Sequence, residues 1–410
     1  MKTPLNLSLD KIAFFNPSEK LTSGVFAKKI PMSSLKIFER KISGFEYKEY
    51  KNGSKFKNGD TLLAKITPCL ENGKTAYVDI LNDNEVAFGS TEFIVLRPKK
   101  NIDSNYLYYL ARSPAFRKKA INCMEGTSGR KRVNERVLKL QVFPIPDQTS
   151  QKSISNMLFS IDSKIELNNK INTELAAMAK LIYDFWFVQF DFPDENGNPY
   201  KSSGGKMVWN AQVKREIPEG WEIGILADLF SFNTSLTLKK GIVASYIDMN
   251  ALPTSGFMTK NTQKKEFNGG VKFKNGDLII ARITPCLENG KTGLITLLEN
   301  NEIGFGSTEF ISLRGKELVL SGFASCLSRS ELFRKYAIAN MTGTSGRKRV
   351  DASNLSLFPI SIPSKSLLIK FEKILESNFI KMTVNTKENQ QLSELRDWLL
   401  PMLMNGQVTI

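Results

Sequence analysis

Short stretches of alternating apolar and polar residues dominate the first third of the chain. DTLLAKI, KTAYVDIL and EFIVLRP, all between Asp60 and Pro98, read as strands bounded by Asn-Gly and Gly-Asp turns. The pattern then lengthens. NYLYYLARSPAFRKKAI, from Asn105 to Ile121, predicts one helix with a basic end, and LSGFASCLSRSELFRKYAI is its later counterpart. From Ile154 the apolar spacing becomes four and three: Ile154, Leu158, Ile161, Ile165, Leu175, Ile182 and Trp186. This is a heptad seam on a long helix, with no proline before Val188. A second seam runs Phe371, Leu375, Asn378, Met382, Leu392, Leu399 and Leu403, and its helix is expected to be interrupted at Pro401.

The two patterns are one half written twice. An offset of 217 residues carries ITPCLENGKT (66–75) onto 283–292, FGSTEFI (88–94) onto 305–311, and GTSGRKRV (126–133) onto 343–350. So long a period means a duplicated domain rather than a solenoid. The expected class is α+β: two similar globular α/β domains separated by two long helices that pair as an antiparallel coiled coil about a pseudo-twofold axis. The boundaries read as 1–150 (first globular domain), 151–190 (central helix), 191–365 (linker and second globular domain) and 366–410 (distal helix). A helix of about 33 residues spans about 50 Å, enough to hold two domains at opposite ends of a rod. Asn168 and Asn172 match Asn385 and Asn389 at that offset. Polar residues on a seam cost stability and fix helix register, which is the role expected of these four.

Charge narrows the function. Lys and Arg number 57 against 41 Asp and Glu, a net charge of +16, which favours polyanionic partners. Histidine is absent, which excludes Ser-His-Asp and Cys-His catalysis and histidine metal sites. Cys69, Cys123, Cys286 and Cys326 form no CxxC pair, and no signal-like or membrane-spanning apolar run is present, so a cytoplasmic chain with reduced thiols is expected. The NGKT ending of the first repeated block resembles a phosphate loop, but Pro68 and Pro285 stand where that loop needs glycine. Asn72-Gly73 and Asn289-Gly290 read instead as hairpin turns. NGNPY and PDENGNPYK, both between Pro193 and Lys201, are turn-like approximations to methyltransferase and nuclease motifs and assemble no catalytic set.

GTSGRKRV carries the functional signal. Glycines bracket three consecutive cations, a combination unsuited to a core, and the block survives in two otherwise diverged halves. The candidate DNA-binding residues are Thr127, Ser128, Gly129, Arg130, Lys131 and Arg132, with Thr344, Ser345, Gly346, Arg347, Lys348 and Arg349. Lys74 and Lys291 are weaker candidates.

Taken with IELNNKINTELAAMAKLIYDFWFVQF, the linker ending IPEGWE, and LSELRDWLLPMLMNGQV, this motif resembles the specificity subunit of type I restriction-modification systems over nearly the whole chain. The resemblance implies a non-catalytic subunit in which each globular domain binds one half of a split target on double-stranded DNA. It implies two modification subunits, which use S-adenosylmethionine to methylate adenine, and motor-nuclease subunits, which use ATP and Mg. This chain is expected to bind no cofactor and no membrane. The long identical blocks further predict a partly palindromic target. The rival reading is a stand-alone DNA-binding or bridging protein; the long apolar seams and the aromatic-rich YDFWFVQF argue for helix surfaces covered by partners.

Overall fold

The computed structural model describes residues 4–127, 129–344 and 346–408. Two compact units emerge. One runs to Glu166 and resumes at Gln391; the other spans Leu167–Gln390. The cut passes through both long helices, Gln148–Tyr183 and Lys365–Met404, so each unit owns a stretch of each helix.

In the first unit an antiparallel sheet has the order Ala13–Phe15, Phe93–Pro98, Thr61–Ala64, Thr75–Tyr77. A second sheet has the order Glu46–Glu49, Phe26–Ile30, Ala87–Gly89, Lys55–Phe56, with Phe26–Ile30 and Ala87–Gly89 parallel. Leu5–Ser8 pairs with Val142–Ile145. The second unit repeats both sheets and the pair; Leu278–Ala281, for instance, sits between Phe310–Gly315 and Thr292–Leu294. The strands at Thr61–Ala64 and Leu278–Ala281 are buried throughout, as their apolar runs require.

Four details differ from the sequence reading. The predicted single helix is two, Ser104–Arg112 and Pro114–Asn122. Pro114 holds Ser113 in extended backbone, and the Ser113 hydroxyl accepts from the Phe116 N–H at 3.2 Å, starting a new helix. Conversely, the last helix continues through Pro401 to Met404, and the turn beyond the proline closes with the Asn405 N–H donating to Pro401 O at 3.0 Å. The first seam is buried at Ile154, Leu158 and Trp186, but between them the buried stripe passes through Asp162, Asn168, Ala176, Ala179 and Tyr183, leaving Ile161, Ile165, Leu175 and Ile182 half-buried. A helix of 3.6 residues per turn drifts off a strict seven-residue repeat. Finally, YDFWFVQF is mostly core: only Phe185 and Val188 of its apolar residues stay exposed. Tyr183, Trp186, Phe187 and Phe190 are buried in the second unit against Phe323, Phe371 and Trp221, since so much aromatic surface gains more from its own core.

Within the second unit the two helix stretches run antiparallel and are joined by amides. Asn168 Nδ2 donates to Asn389 Oδ1 at 3.0 Å and to Glu388 at 2.7 Å. Asn385 Nδ2 donates to Asn172 Oδ1 at 2.9 Å, and Asn172 Nδ2 to Thr386 Oγ1 at 3.3 Å. Asn168 and Asn385 are fully buried; Asn172 and Asn389 are half-buried. The pairing is reciprocal under the 217-residue offset: Asn168 meets the counterpart of Asn172, and Asn172 the counterpart of Asn168.

Candidate nucleic-acid interface

In each unit three of the repeated blocks converge on one site. ITPCLENGKT is the connection between the paired strands Thr61–Ala64 and Thr75–Tyr77. It closes as a helical turn rather than a two-residue hairpin: Leu70 N–H donates to Ile66 O at 3.1 Å, Asn72 N–H to Pro68 O at 2.9 Å, and Lys74 N–H to Cys69 O at 3.0 Å. Gly73 has a φ of +76°, and a Cβ there would lie 2.3 Å from the Phe38 ring, so glycine is required. Lys74 and Lys291 turn inward: their ammonium groups donate to Met32 O at 3.0 Å and Met249 O at 2.9 Å.

GTSGRKRV projects from a short hairpin. Met124–Glu125 pairs with Arg132–Val133, and Thr342 bridges Arg349. At the tips Arg130 N–H donates to Thr127 O and Arg347 N–H to Thr344 O, each at 3.0 Å. Thr127, Gly129, Arg130 and Lys131 are exposed, as are Thr344, Gly346, Arg347 and Lys348. Among the described residues, the side chains of Arg130, Lys131, Arg347 and Lys348 make no hydrogen bond or ion pair. Ser128 and Ser345 lie outside the described residues.

Backbone bonds staple the tip to the connection below it. Thr67 N–H donates to Lys131 O at 3.0 Å and Val133 N–H to Lys65 O at 2.9 Å; Thr284 to Lys348 and Val350 to Arg282 repeat the arrangement at 3.0 Å each. The third block supplies Glu92 and Glu309, which sequence reasoning missed. Arg132 Nε and Nη2 donate to Glu92 at 2.9 and 2.7 Å, and Arg349 Nε and Nη2 donate to Glu309 at 2.8 and 2.7 Å. Hydrogen bonding from Arg349 holds the Glu309 carboxyl below its ordinary range, and the carboxylates raise the pKa of both arginines. The available signal was an acidic residue preserved within FGSTEFI in both halves.

The halves diverge at the edge of the site. Lys65 faces Glu135 at 3.6 Å while Asn134 caps the helix Glu135–Lys139; at the matched positions Arg282 pairs with Asp351. Among the described residues no group of three Cys, Asp or Glu is placed to hold a metal ion, and no helix is long and apolar enough to cross a membrane.

Comparison with known proteins places this arrangement. The model for the type I restriction modification DNA specificity domain matches residues 18–177 and again 218–394, one copy per half. The chain is 24% identical over 406 residues to the type I restriction enzyme HindI specificity subunit of Haemophilus influenzae, covering 86% of this chain and 87% of that one. It is 24% identical over 328 residues to the MjaIX specificity subunit of Methanocaldococcus jannaschii, covering 76% and 71%. The crystal structure of the type I restriction-modification S subunit from M. genitalium shares the fold, with a TM-score of 0.53, 15% identity, and coverage of 98% of this chain and 99% of that one. The doubled strand plan, the doubled basic tip and the doubled family match have one explanation: this chain belongs to the family of type I restriction-modification DNA specificity subunits.

Proposed function

We propose that this chain reads a bipartite target on double-stranded DNA, one half-site per unit, and directs adenine methylation and restriction by partner subunits. The carrying observation is the exposed pair of cations at each tip, Arg130 with Lys131 and Arg347 with Lys348, presented on the same stapled scaffold in both units. Exposed cations on a loop hydrogen-bonded to its scaffold suit phosphates and guanine edges. The chain itself does no chemistry. Two modification subunits supply S-adenosylmethionine chemistry, and motor-nuclease subunits supply ATP- and Mg-dependent translocation and cleavage, in the cytoplasm. The reciprocal amide pairing supports two long helices that hold the half-sites at a fixed spacing, with Asn168, Asn172, Asn385 and Asn389 setting the register. Identical tips on domains related by a pseudo-twofold would read similar half-sites in inverted orientation, so the target is partly palindromic.

Methylome sequencing of a strain carrying the gene tests this. A split adenine-methylated motif with related, inverted halves is expected; two unrelated halves would remove the palindrome, and no motif dependent on this gene would remove the reading. Co-purification with a methyltransferase-like subunit separates it from a stand-alone DNA-binding protein.

A further inference from the structure

Three consecutive cations in a DNA-facing loop invite the assumption that all three contact DNA. The geometry divides them. Arg130 and Lys131 are exposed, with no side-chain partner among the described residues, whereas Arg132 turns back and meets both oxygens of Glu92 with a two-pronged fork. Glu92 is not a mobile surface acid. It opens the strand Phe93–Pro98, its N–H is held by Ser90 Oγ at 3.1 Å, and its carbonyl accepts from the Lys65 N–H at 2.9 Å. The Arg132 backbone meanwhile belongs to the hairpin and bridges Ile66. One ion pair therefore ties the tip to the central sheet. The second unit repeats every part: Arg349 on Glu309, Glu309 N–H on Ser307 Oγ at 3.1 Å, Arg282 N–H on Glu309 O at 2.9 Å, and Arg349 bridging Ile283.

We propose that Arg130, Lys131, Arg347 and Lys348 contact DNA, and that Arg132 and Arg349 are positioning residues whose charge is neutralised by Glu92 and Glu309 to aim the tip. The proposal rests on the reading of the tips as DNA-binding and assigns separate roles within them. Two residues that look alike in sequence should then differ in what their loss does. A cation on a phosphate releases counterions, so its removal lowers the slope of log K against log salt by about 0.9. A positioning arginine leaves that slope alone and lowers discrimination instead. Lysine cannot restore it, because its ammonium lacks the planar fork that engages both carboxylate oxygens.

The test uses the full chain in its native complex. Affinities for a target duplex and a scrambled duplex of equal length are measured across a salt series. Arg130→Gln combined with Lys131→Gln should flatten the slope by about 1–2 on both duplexes. Arg132→Gln should leave the slope within error while reducing the target-to-scrambled ratio tenfold or more, with Arg132→Lys recovering little of it. The near-isosteric Glu92→Gln releases the arginine: the slope on scrambled duplex should steepen while the ratio falls. Glu309→Gln and Arg349→Gln repeat the measurement in the other unit, so a folding defect in one unit leaves a second copy to decide. The division is overturned if Arg132→Gln flattens the slope as Arg130→Gln does, or if Glu92→Gln changes neither slope nor ratio. If the Arg130 and Lys131 changes leave binding and slope untouched, the DNA-binding reading of the tip itself fails.

Discussion

The most instructive perturbation lies where the long helices enter the first unit. Arg396 Nη1 donates to Asp162 Oδ1 at 2.7 Å, with side chains only 7% and 5% exposed. Asp162 Oδ2 accepts from the Tyr109 hydroxyl at 2.8 Å. Asp397 accepts from both Arg396 Nε and Arg112 Nη2 at 3.0 Å. Burial opposes the Arg396 charge, yet Asp162 and Asp397 outweigh it and raise its pKa; burial first and Asp162 second do the same to Tyr109. This cluster links the helix Ser104–Arg112 to both long helices, so its loss should be felt by the whole unit. Removing one member of a buried pair strands the other and costs about 3–5 kcal/mol. Asp162→Leu also leaves the Tyr109 hydroxyl without its acceptor, a further 1–3 kcal/mol or so. Against a typical total of roughly 5–15 kcal/mol, either single change should bring the unit near collapse. Combining Asp162→Leu with Arg396→Met removes both charges together, and should cost about 2–3 kcal/mol less than the sum of the singles. Urea denaturation of the four proteins, with hydrogen exchange along 148–166, supplies the cycle. Singles costing under about 1 kcal/mol, or a strictly additive double, would refute the claim that the charges are held as a desolvated unit.

Further expectations concern titration, backbone and seam. Burial raises Glu372 to about 7 even though the Gly322 and Phe323 N–H groups donate to it. The folded state thus keeps a proton that an unfolded glutamate releases near 4.5, so this stabilisation is complete below about pH 4.5 and lost as pH rises towards about 7. Glu302 behaves oppositely. Its burial is outweighed by Lys264, the Glu299 N–H and Ser245, which lower it to about 2, so its contribution is present above about pH 4.5 and lost as pH falls towards 2. Urea midpoints from pH 3 to 8 should therefore lose their high-pH decline in Glu372→Gln and their low-pH decline in Glu302→Gln; unchanged profiles would contradict the assignments. Gly270 has a φ of +116°, and a Cβ there would lie 1.9 Å from the Gly306 carbonyl oxygen. Gly270→Ala should cost about 2–4 kcal/mol in the same assay, and a neutral result would mean the strand can move aside. Replacing Asn168, Asn172, Asn385 and Asn389 together with leucine should raise the melting temperature but change the oligomeric state or half-site spacing, read by light scattering and by methylome sequencing. A more stable protein with unaltered assembly and spacing would show that the amides do not set register.

What could be read in advance follows from how each feature is encoded. Strands such as Thr61–Ala64 and the basic tips were visible because one short contiguous stretch carries the whole signal. The 217-residue offset then transferred every such assignment to the second half without fresh argument. The convergence of the three repeated blocks was not visible, because the backbone bonds from Thr67 to Lys131 and from Val133 to Lys65 join segments about sixty residues apart and involve groups that every residue has. The inward turn of Lys74 was hidden for a related reason: its acceptor is the main-chain carbonyl of Met32, which has no sequence signature. Asp162 and Arg396 were illegible because a charged residue on a heptad face is ordinarily read as solvated, and their partnership spans 234 positions.

The two halves diverge in a pattern that separates the tips from their mounts. At the tips the staple, the fork on glutamate and the exposed cations are the same in both units. Beneath the domains the solutions are different. Where the first unit has Asp162, Arg396 and Arg40, which faces Glu166 of the long helix at 3.8 Å, the matched residues of the second are Phe379, Ala179 and Phe257, and Phe257 and Phe379 stack with centroids 5.6 Å apart. Where Asp103 caps the helix beginning at Ser104, the second unit has Leu320, and Glu372 from the long helix accepts the N–H groups instead. Each mount is satisfied only as a set: a buried Asp162 facing Phe257 and Ala179 would be an uncompensated charge, and Leu320 without Glu372 would leave helix donors unpaired. The two repeats therefore differ at these contacts as matched sets, each complementary to its own stretch of helix. A chimera that inserts the second domain, which brings Phe257 and Leu320 in place of Arg40 and Asp103, into the first position should consequently unfold unless Ser155, Asp162 and Arg396 of the long helices are exchanged with it for their matched residues, glutamate, phenylalanine and alanine. Full stability without those exchanges would show that the two mounts are interchangeable.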